Sequence, residues 1–258
     1  MHITVCIKQV PDPSQARIDR ETGLVIREGV DKITNPYDVY ALEEALRLKE
    51  AHGGQVTALS MGPAAAQAIL KDAIAMGVDA GVLLSDRQFA GADTLATSYT
   101  LALAINKLHQ VDLIICGKQA ADGDTAQVGP GLAANLDIPH VTQVRKIREL
   151  SDGEIVVERL TEVGYEVVAV GLPAVITVVK EINEPRIPGL RGMMRAKKAE
   201  IPVWNAEDLG ADPARLGLKG SPTRVWRTFE PARHGRTEMF PGTPDEQATL
   251  LWEKLRAL

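Results

Sequence analysis

The feature that most constrains this chain is an alternation, over its first 140 residues, of short β-rich runs with helical patterns. The runs fall at residues 3–10, 55–60, 81–85 and 111–116. The last, VDLIIC, ends in LIIC, the continuous apolar run of a strand covered on both faces. Asn35 can cap a helix that Pro36 opens, because Asn accepts a hydrogen bond from a free N–H and Pro lacks the one that would be left over. In ALEEALRLKEAHGG, Leu42, Ala45 and Leu46 share one face, Glu43, Arg47 and Glu50 lie largely elsewhere, and Gly53-Gly54 ends the helix. MGPAAAQAILKDAIAMG repeats the pattern between Pro63 and Gly77, and a third helix follows Asp93. Strands and helices of these lengths imply right-handed crossovers and an open parallel sheet.

After residue 140 the texture changes. Residues 144–150 and 154–160 flank Ser151-Asp152-Gly153, which reads as a hairpin turn. Residues 166–170 and 174–180 flank Gly171-Leu172-Pro173. Both pairs are expected as antiparallel ribbons added to the parallel sheet. Beyond residue 200 lie Trp204, Trp226 and Trp252, with Phe229 and Phe240, in a stretch punctuated by prolines. Such a segment is too irregular for another βαβ unit and too sticky for a linker. It is either an arm packed on its own domain or one that wraps a partner subunit. Its end, DEQATLLWEKLRAL, carries an apolar helix stripe at Ala248, Leu251, Trp252 and Leu255.

Charge and cysteine content narrow the function classes. With 29 Lys+Arg against 34 Asp+Glu, the formal charge is −5, so nothing favours general nucleic-acid binding. Cys6 and Cys116 are too few for a disulfide framework and lack metal-site spacing. The opening MHITVCIKQVPDPSQ has none of the marks of a signal peptide, and no apolar run has the length of a membrane span, so a soluble, cytoplasmic protein is expected.

The most informative loop is GKQAADGDTAQVGPGLAANL, residues 117–136, which leaves the apolar strand and enters a helix. Ligands of open parallel sheets bind at the carboxyl ends of strands, and a Gly-rich loop entering a helix there offers N–H groups and a positive helix end to a phosphate. Gly117, Gly123, Gly129 and Gly131 permit close backbone approach, and Asp124 or Thr125 can cap the helix. The acids Asp122 and Asp124 oppose a bare phosphate unless they face away or accept hydrogen bonds. An ordinary strand-to-helix loop that needs its glycines for turns is the alternative. Gly129-Pro130-Gly131-Leu132-Ala133-Ala134 matches G-x-G-x-x-A but lies far past the strand, and Pro130 removes an N–H, so it is not a dinucleotide fingerprint.

Other junctions at 6–9, 35–38, 61–63 and 85–98 surround the same edge, with Thr94 and Thr97 in the first turn of a helix, serving a phosphate or only the cap. Together they suggest one nucleotide-sized site. His2, His52, His109, His140 and His234 have no metal-ligand spacing, and no G-x-S-x-G, H-E-x-x-H or P-loop occurs, so redox chemistry would come from a bound cofactor. In residues 183–201, Arg186, Arg191, Arg195, Lys197 and Lys198 surround Leu190, Met193 and Met194. This is either a solvated basic loop or a docking surface.

Over nearly its whole length the chain resembles the beta subunit of electron-transfer flavoproteins. The likeness is carried by CIKQVPD, NPYDVYALEEALRLKE, the MGP turn, GKQAADGDTAQVGP and NEPRIPGLRGMMRAKKAEIPVW. The resemblance implies a heterodimer with an alpha subunit that carries an electron-transferring FAD. The beta subunit would bind AMP, as in simple carriers, or a second FAD, as in electron-bifurcating members. The family's nucleotide contacts then fall on Cys6, Asn35, Pro36, Tyr37, Asp38 and Met61, and on the loop from Ala120, Ala121, Asp122, Gly123, Asp124 and Thr125 through Ala126, Gln127, Val128, Gly129, Pro130 and Gly131.

SDRQFAGADTLATS and DGDTAQVGP look like bifurcating members, which adds Thr94 and Thr97 to an FAD site. On that likeness NAD(H) is the electron donor, and the acceptors are ferredoxin or flavodoxin and, through the alpha subunit, an acyl-CoA dehydrogenase. The basic segment corresponds to the family's recognition loop, with Leu190 as apolar anchor and Arg191 beside it. Gly189-Leu190-Arg191-Gly192 departs from the simple carriers and suits a different dehydrogenase.

The fold expected is therefore α/β: an open parallel Rossmann-like sheet that binds an adenine nucleotide, with helices on both faces, added antiparallel ribbons and a C-terminal arm. Its divisions are a nucleotide-binding domain at 1–200 and an arm at 201–258 that wraps the alpha subunit. A stand-alone adenine-nucleotide-binding module is the competing reading, and it leaves the recognition loop and arm without a role.

Overall fold

The computed structural model describes residues 1–15, 17–18, 25–26, 31–151, 153–226 and 238–256. Asp152, Phe229 and His234 lie outside the described residues. The amino-terminal elements are β1 His2–Cys6, β2 Gln9–Pro11, β3 Arg17–Ile18, β4 Val25–Ile26, β5 Lys32–Thr34 and α1 Pro36–His52. Then come β6 Gln55–Met61, α2 Gln67–Met76, β7 Ala80–Leu84, α3 Thr94–Leu108, β8 Leu113–Gly117 and α4 Val128–Leu136. The remainder is β9 His140–Ser151, β10 Glu154–Thr161, β11 Gly164–Gly171, β12 Ala174–Val178, α5 Leu190–Lys198, β13 Val203–Trp204 and α6 Pro244–Arg256.

A nine-stranded sheet runs in the order β11-β10-β9-β12-β8-β1-β6-β7-β13. From β9 to β13 every pairing is parallel. β9, β10 and β11 continue the sheet as an antiparallel meander. Side chains alternate between the faces, so Ile3 and Val5 pack with Leu42 and Leu46 of α1 and Leu70 of α2. Cys6, on the other face, shares its cluster with Ile105 of α3 and Leu132 of α4. The expected α/β architecture, helices on both faces of a parallel sheet, is what forms. Gly53 and Gly77 end α1 and α2 at positive φ, 75° and 138°, as read from the sequence.

Several expectations are corrected. The run at 3–10 is two strands, because β1 loses its neighbours after Cys6 and residues 9–11 pair antiparallel with β5 instead. Residues 174–178 are not half of a ribbon: β12 enters the sheet parallel, between β8 and β9. Its AVITV is buried at every residue, the same both-faces-covered signature as β8. The ribbon expected at 144–160 does form, and its third strand is β11.

The basic segment is a helix over residues 190–198, where Leu, Met, Arg, Ala and Lys are good helix formers and extended Gly189 precedes the first turn. Beyond residue 201 the chain adds β13 to the sheet edge and buries Ala206, Leu209 and Leu216 against the α3 face. α6 buries none of its residues.

Candidate nucleotide site at the carboxyl edge of the sheet

From β1 the chain builds β6 and β7 on one side, then returns through α3 to place β8 on the other. That reversal of strand order falls between β1 and β8, whose carboxyl ends are the position where open parallel sheets take ligands. Cys6 and Cys116 are register partners there. Both are buried, and the Cys6 thiol together with burial pushes the Cys116 thiol up, so it stays protonated and acts as packing.

Asn35 occupies the N-cap position of α1, but its side chain makes no cap bond. It reaches the loop after β8 instead. Its Nδ2 donates to Asp38 Oδ1 and to the carbonyl of Gln119, both at 2.9 Å, and its Oδ1 accepts the Ala121 N–H at 2.9 Å. Asp38 Oδ2 accepts the Lys8 N–H at 2.7 Å. Burial pushes the Asp38 carboxyl up to about 7, while the Asn35 amide, the N–H groups of Lys8 and Gly117 and the Lys8 charge favour its ionised form. A Cβ at Gly117 would lie 2.7 Å from the Tyr37 backbone, so β8 must end in glycine for α1 to come this close.

The two acids that argued against a phosphate are both partnered within the protein. Lys8 Nζ lies 2.6 and 2.8 Å from the Asp122 carboxylate oxygens, and the Gln119 amide donates to Asp124. Asp124 and Ala126 adopt left-handed backbone, φ 53° and 55°, between the strand and α4. Neither Asp124 nor Thr125 caps α4, because Gln127 occupies that position without a side-chain cap. Gly129 and Gly131 serve packing: a Cβ at Gly129 would overlap Thr177 of β12, and one at Gly131 would sit 2.6 Å from Ser98 Oγ of α3. At Gly123 a Cβ would meet nothing within 4 Å.

At α3, the helix expected after Asp93 forms, and Asp93 caps it, accepting from Leu95 and Ala96 N–H at 3.0 and 3.1 Å. Those two amides are therefore engaged, and the helix start offers a ligand hydroxyls more than amides. Thr94 Oγ1 donates to Gln127 Oε1 at 2.9 Å, which ties α3 to the entrance of α4.

The sequence-derived residues thus gather at one edge in two layers. Cys6, Asn35, Asp38 and Gly129 are buried. Pro36, Ala121, Asp122, Gly123, Asp124, Thr125, Ala126 and Gln127 are exposed, and Tyr37, Met61, Thr94, Thr97, Ala120, Val128, Pro130 and Gly131 are half-buried. Lys8 and Gln119 were missed as site residues. The signal for Lys8 was a lone cation just past a strand end, opposite a loop with two acids.

Comparison with known proteins bears on what this edge holds. The family model of the electron transfer flavoprotein domain matches residues 22–209. An electron transfer flavoprotein subunit beta from Thermoanaerobacterium thermosaccharolyticum is 50% identical over 258 residues, covering 100% of this chain and 98% of its own. The chain belongs to the electron transfer flavoprotein family, as a beta subunit. It is also similar to CarD, a subunit of the caffeyl-CoA reductase-Etf complex of Acetobacterium woodii, at 48% identity over 99% of this chain and 98% of CarD. Protein FixA of Azorhizobium caulinodans is 48% identical over 90% of this chain and 85% of its own.

In this beta-subunit family member the basic segment divides by role. Arg186 pairs with Glu43 at 2.8 Å and with Glu50 at 2.5 Å, and Asn183 Nδ2 donates to Glu44 at 2.9 Å, which fastens the segment to α1. Arg195 donates to the carbonyls of Ile74 and Val78 at the end of α2, at 2.6 and 2.7 Å. A Cβ at Gly192 would strike the Ala75 backbone, so this glycine lets α5 lie against α2. What remains outward is Leu190, 72% exposed, with Arg191, Met193, Met194, Lys197 and Lys198. Among the described residues no helix is long and apolar enough to cross a membrane.

Proposed function

We propose that this chain is the nucleotide-binding, partner-docking beta subunit of a cytoplasmic heterodimer whose alpha subunit carries an FAD. It binds a second FAD at the carboxyl edge of its sheet, and NADH is the electron donor. One electron passes to a ferredoxin or flavodoxin and the other, through the alpha-subunit FAD, to an acyl-CoA dehydrogenase. The observation that carries the nucleotide reading is the reversal of strand order between β1 and β8, bordered at the carboxyl edge by a loop whose acids are already partnered.

The donor set fits a dinucleotide. Val128 and Gly129 lie in the first turn of α4, where N–H groups have no intrahelical acceptor. Lys8, 48% exposed at its side chain, can exchange Asp122 for a phosphate, since an exposed ion pair is weak. Thr94 and Thr97 add hydroxyls for the longer ligand. When bound, FAD supplies the hydride-accepting and one-electron chemistry, and the chain's residues bind, orient and shield it. The resemblance of SDRQFAGADTLATS and DGDTAQVGP to bifurcating members favours FAD over AMP.

A simple AMP-binding carrier that accepts electrons from dehydrogenases is the second reading. The two differ in their response to NADH. Anaerobic addition of NADH to the heterodimer should bleach the flavin absorbance, with ferredoxin reduced only when a dehydrogenase acceptor is present. Flavin that stays oxidised with NADH, yet is reduced by an acyl-CoA dehydrogenase and its substrate, would establish the simple carrier. A stable homodimer of this chain that pairs with no alpha subunit would establish the stand-alone module.

A further inference from the structure

We propose that Asp93 and Thr223 are positioning residues of the nucleotide site. Through them the chain beyond the last sheet strand sets the first turn of α3 and, by way of Thr94 and Gln127, the entrance of α4. The inference rests on the reading of that edge as a nucleotide site.

The two oxygens of Asp93 divide their work. Oδ1 caps α3 through Leu95 and Ala96, while Oδ2 accepts both the N–H and the hydroxyl of Thr223, at 3.1 and 2.8 Å. The Asp93 N–H donates to Ser221 Oγ at 2.7 Å, and that hydroxyl donates to the Gly217 carbonyl at 2.7 Å. Burial opposes ionisation of Asp93, but the N–H of Ala96, the hydroxyl and N–H of Thr223 and the N–H of Leu95 hold its carboxyl below the usual range.

The segment that carries Thr223 is itself seated closely. Leu218 N–H donates to the Ala90 carbonyl at 2.9 Å, and a Cβ at Gly217 would lie 2.7 Å from that same oxygen. Further along α3, Arg215 stacks 3.7 Å over the Tyr99 ring and the Tyr99 hydroxyl accepts from Asp212 N–H at 3.0 Å.

On the other side of Asp93 the bonds run into the site. Thr94 holds Gln127, and Ser98 Oγ bridges the carbonyls of Thr94 and Val128 at 2.7 and 3.2 Å. Hydrogen bonds on either side of the Asp93–Thr94 peptide thus join residue 223 to the entrance of α4. Residues 217–223 lie outside the matched domain, 22–209, so the domain alone lacks this support. After Thr223 the chain turns outward, with Val225 and Trp226 82% and 89% exposed.

The test uses the full-length heterodimer stripped of its beta-subunit nucleotide, with AMP and FAD as probes in calorimetric titrations. Thr223→Val removes the hydroxyl bond to Asp93 and keeps the shape. It should weaken nucleotide binding about tenfold, the equivalent of about 1.4 kcal/mol, while Thr223→Ser should restore wild-type affinity. Wild-type affinity in Thr223→Val, or a serine variant as weak as the valine one, overturns the inference alone. A wild type that binds neither AMP nor FAD overturns the nucleotide reading and the inference with it. If Thr223→Val does not pair with the alpha subunit, Ser221→Ala decides by the same comparison, because it removes the acceptor of the Asp93 N–H together with the donor to the Gly217 carbonyl.

Discussion

Asn35 and Asp38 shape the site without facing it. Asn35 is 1% exposed and Asp38 5% exposed, and their bonds join the link after β1, the start of α1 and the loop after β8. The sequence suggested a helix cap at Asn35, since Asn before Pro is the local signature of one. Its true partners, Gln119 and Ala121, lie 84 and 86 positions away, so nothing local could reveal them.

Asp38 also makes stability depend on pH. Its carboxyl titrates near 7 when folded and near the ordinary 3.8 when unfolded, so over that interval the unfolded chain ionises first and folding loses stability as pH rises. Burial raises Glu44 and Asp72 as well, with the same sign. Carboxylates held low, such as Glu246 by Thr243, act only up to about their ordinary 4.5, at the lower end of this interval. Urea unfolding should therefore show stability falling between about pH 5 and 7. Asp38→Asn should be less stable throughout, because its amide faces the Lys8 N–H, but its slope should be smaller. A wild-type curve that rises across the window would contradict this assignment.

At the level of elements, alternation of strands and helices was readable because its signals are local: apolar runs, Pro openings and Gly stops. β12 was misassigned because whether a buried run pairs parallel or antiparallel depends on strands elsewhere in the chain. α5 was missed because its charges and internal Gly192 read as loop, although Gly192 is the residue that lets it pack on α2. The outward face of α5 is open to docking. Leu190→Ala should slow electron exchange with an acyl-CoA dehydrogenase while flavin content and thermal midpoint stay near wild type, since Leu190 is 72% exposed and adds little to folding. Loss of flavin, or unchanged coupling, would count against it. Replacing Arg191 should act on association rate and its salt dependence, which stopped-flow reduction at two ionic strengths resolves.

At the scale of the whole molecule, the described residues of the C-terminal stretch leave large apolar side chains uncovered. Trp226, Leu251, Trp252 and Leu255 are exposed, and α6 has no buried residue. Sequence alone left open whether the segment after 201 packs on its own domain or grips a partner. The structure divides it: residues 203–223 are fastened to the sheet edge and α3, while the described residues 238–256 beyond them are largely exposed. Deleting residues 231–258 should abolish pairing with the alpha subunit and leave the sheet folded, which copurification and circular dichroism would show. A truncated chain that copurifies stoichiometrically would mean the arm is not the grip.

The claim on which the account depends is that the carboxyl edge of the sheet at β1 and β8 holds an FAD. Flavin and adenylate can be counted by absorbance and mass spectrometry after denaturing the heterodimer purified with ample flavin. Two FAD and no AMP per heterodimer is the expected result; one FAD with one AMP would contradict it.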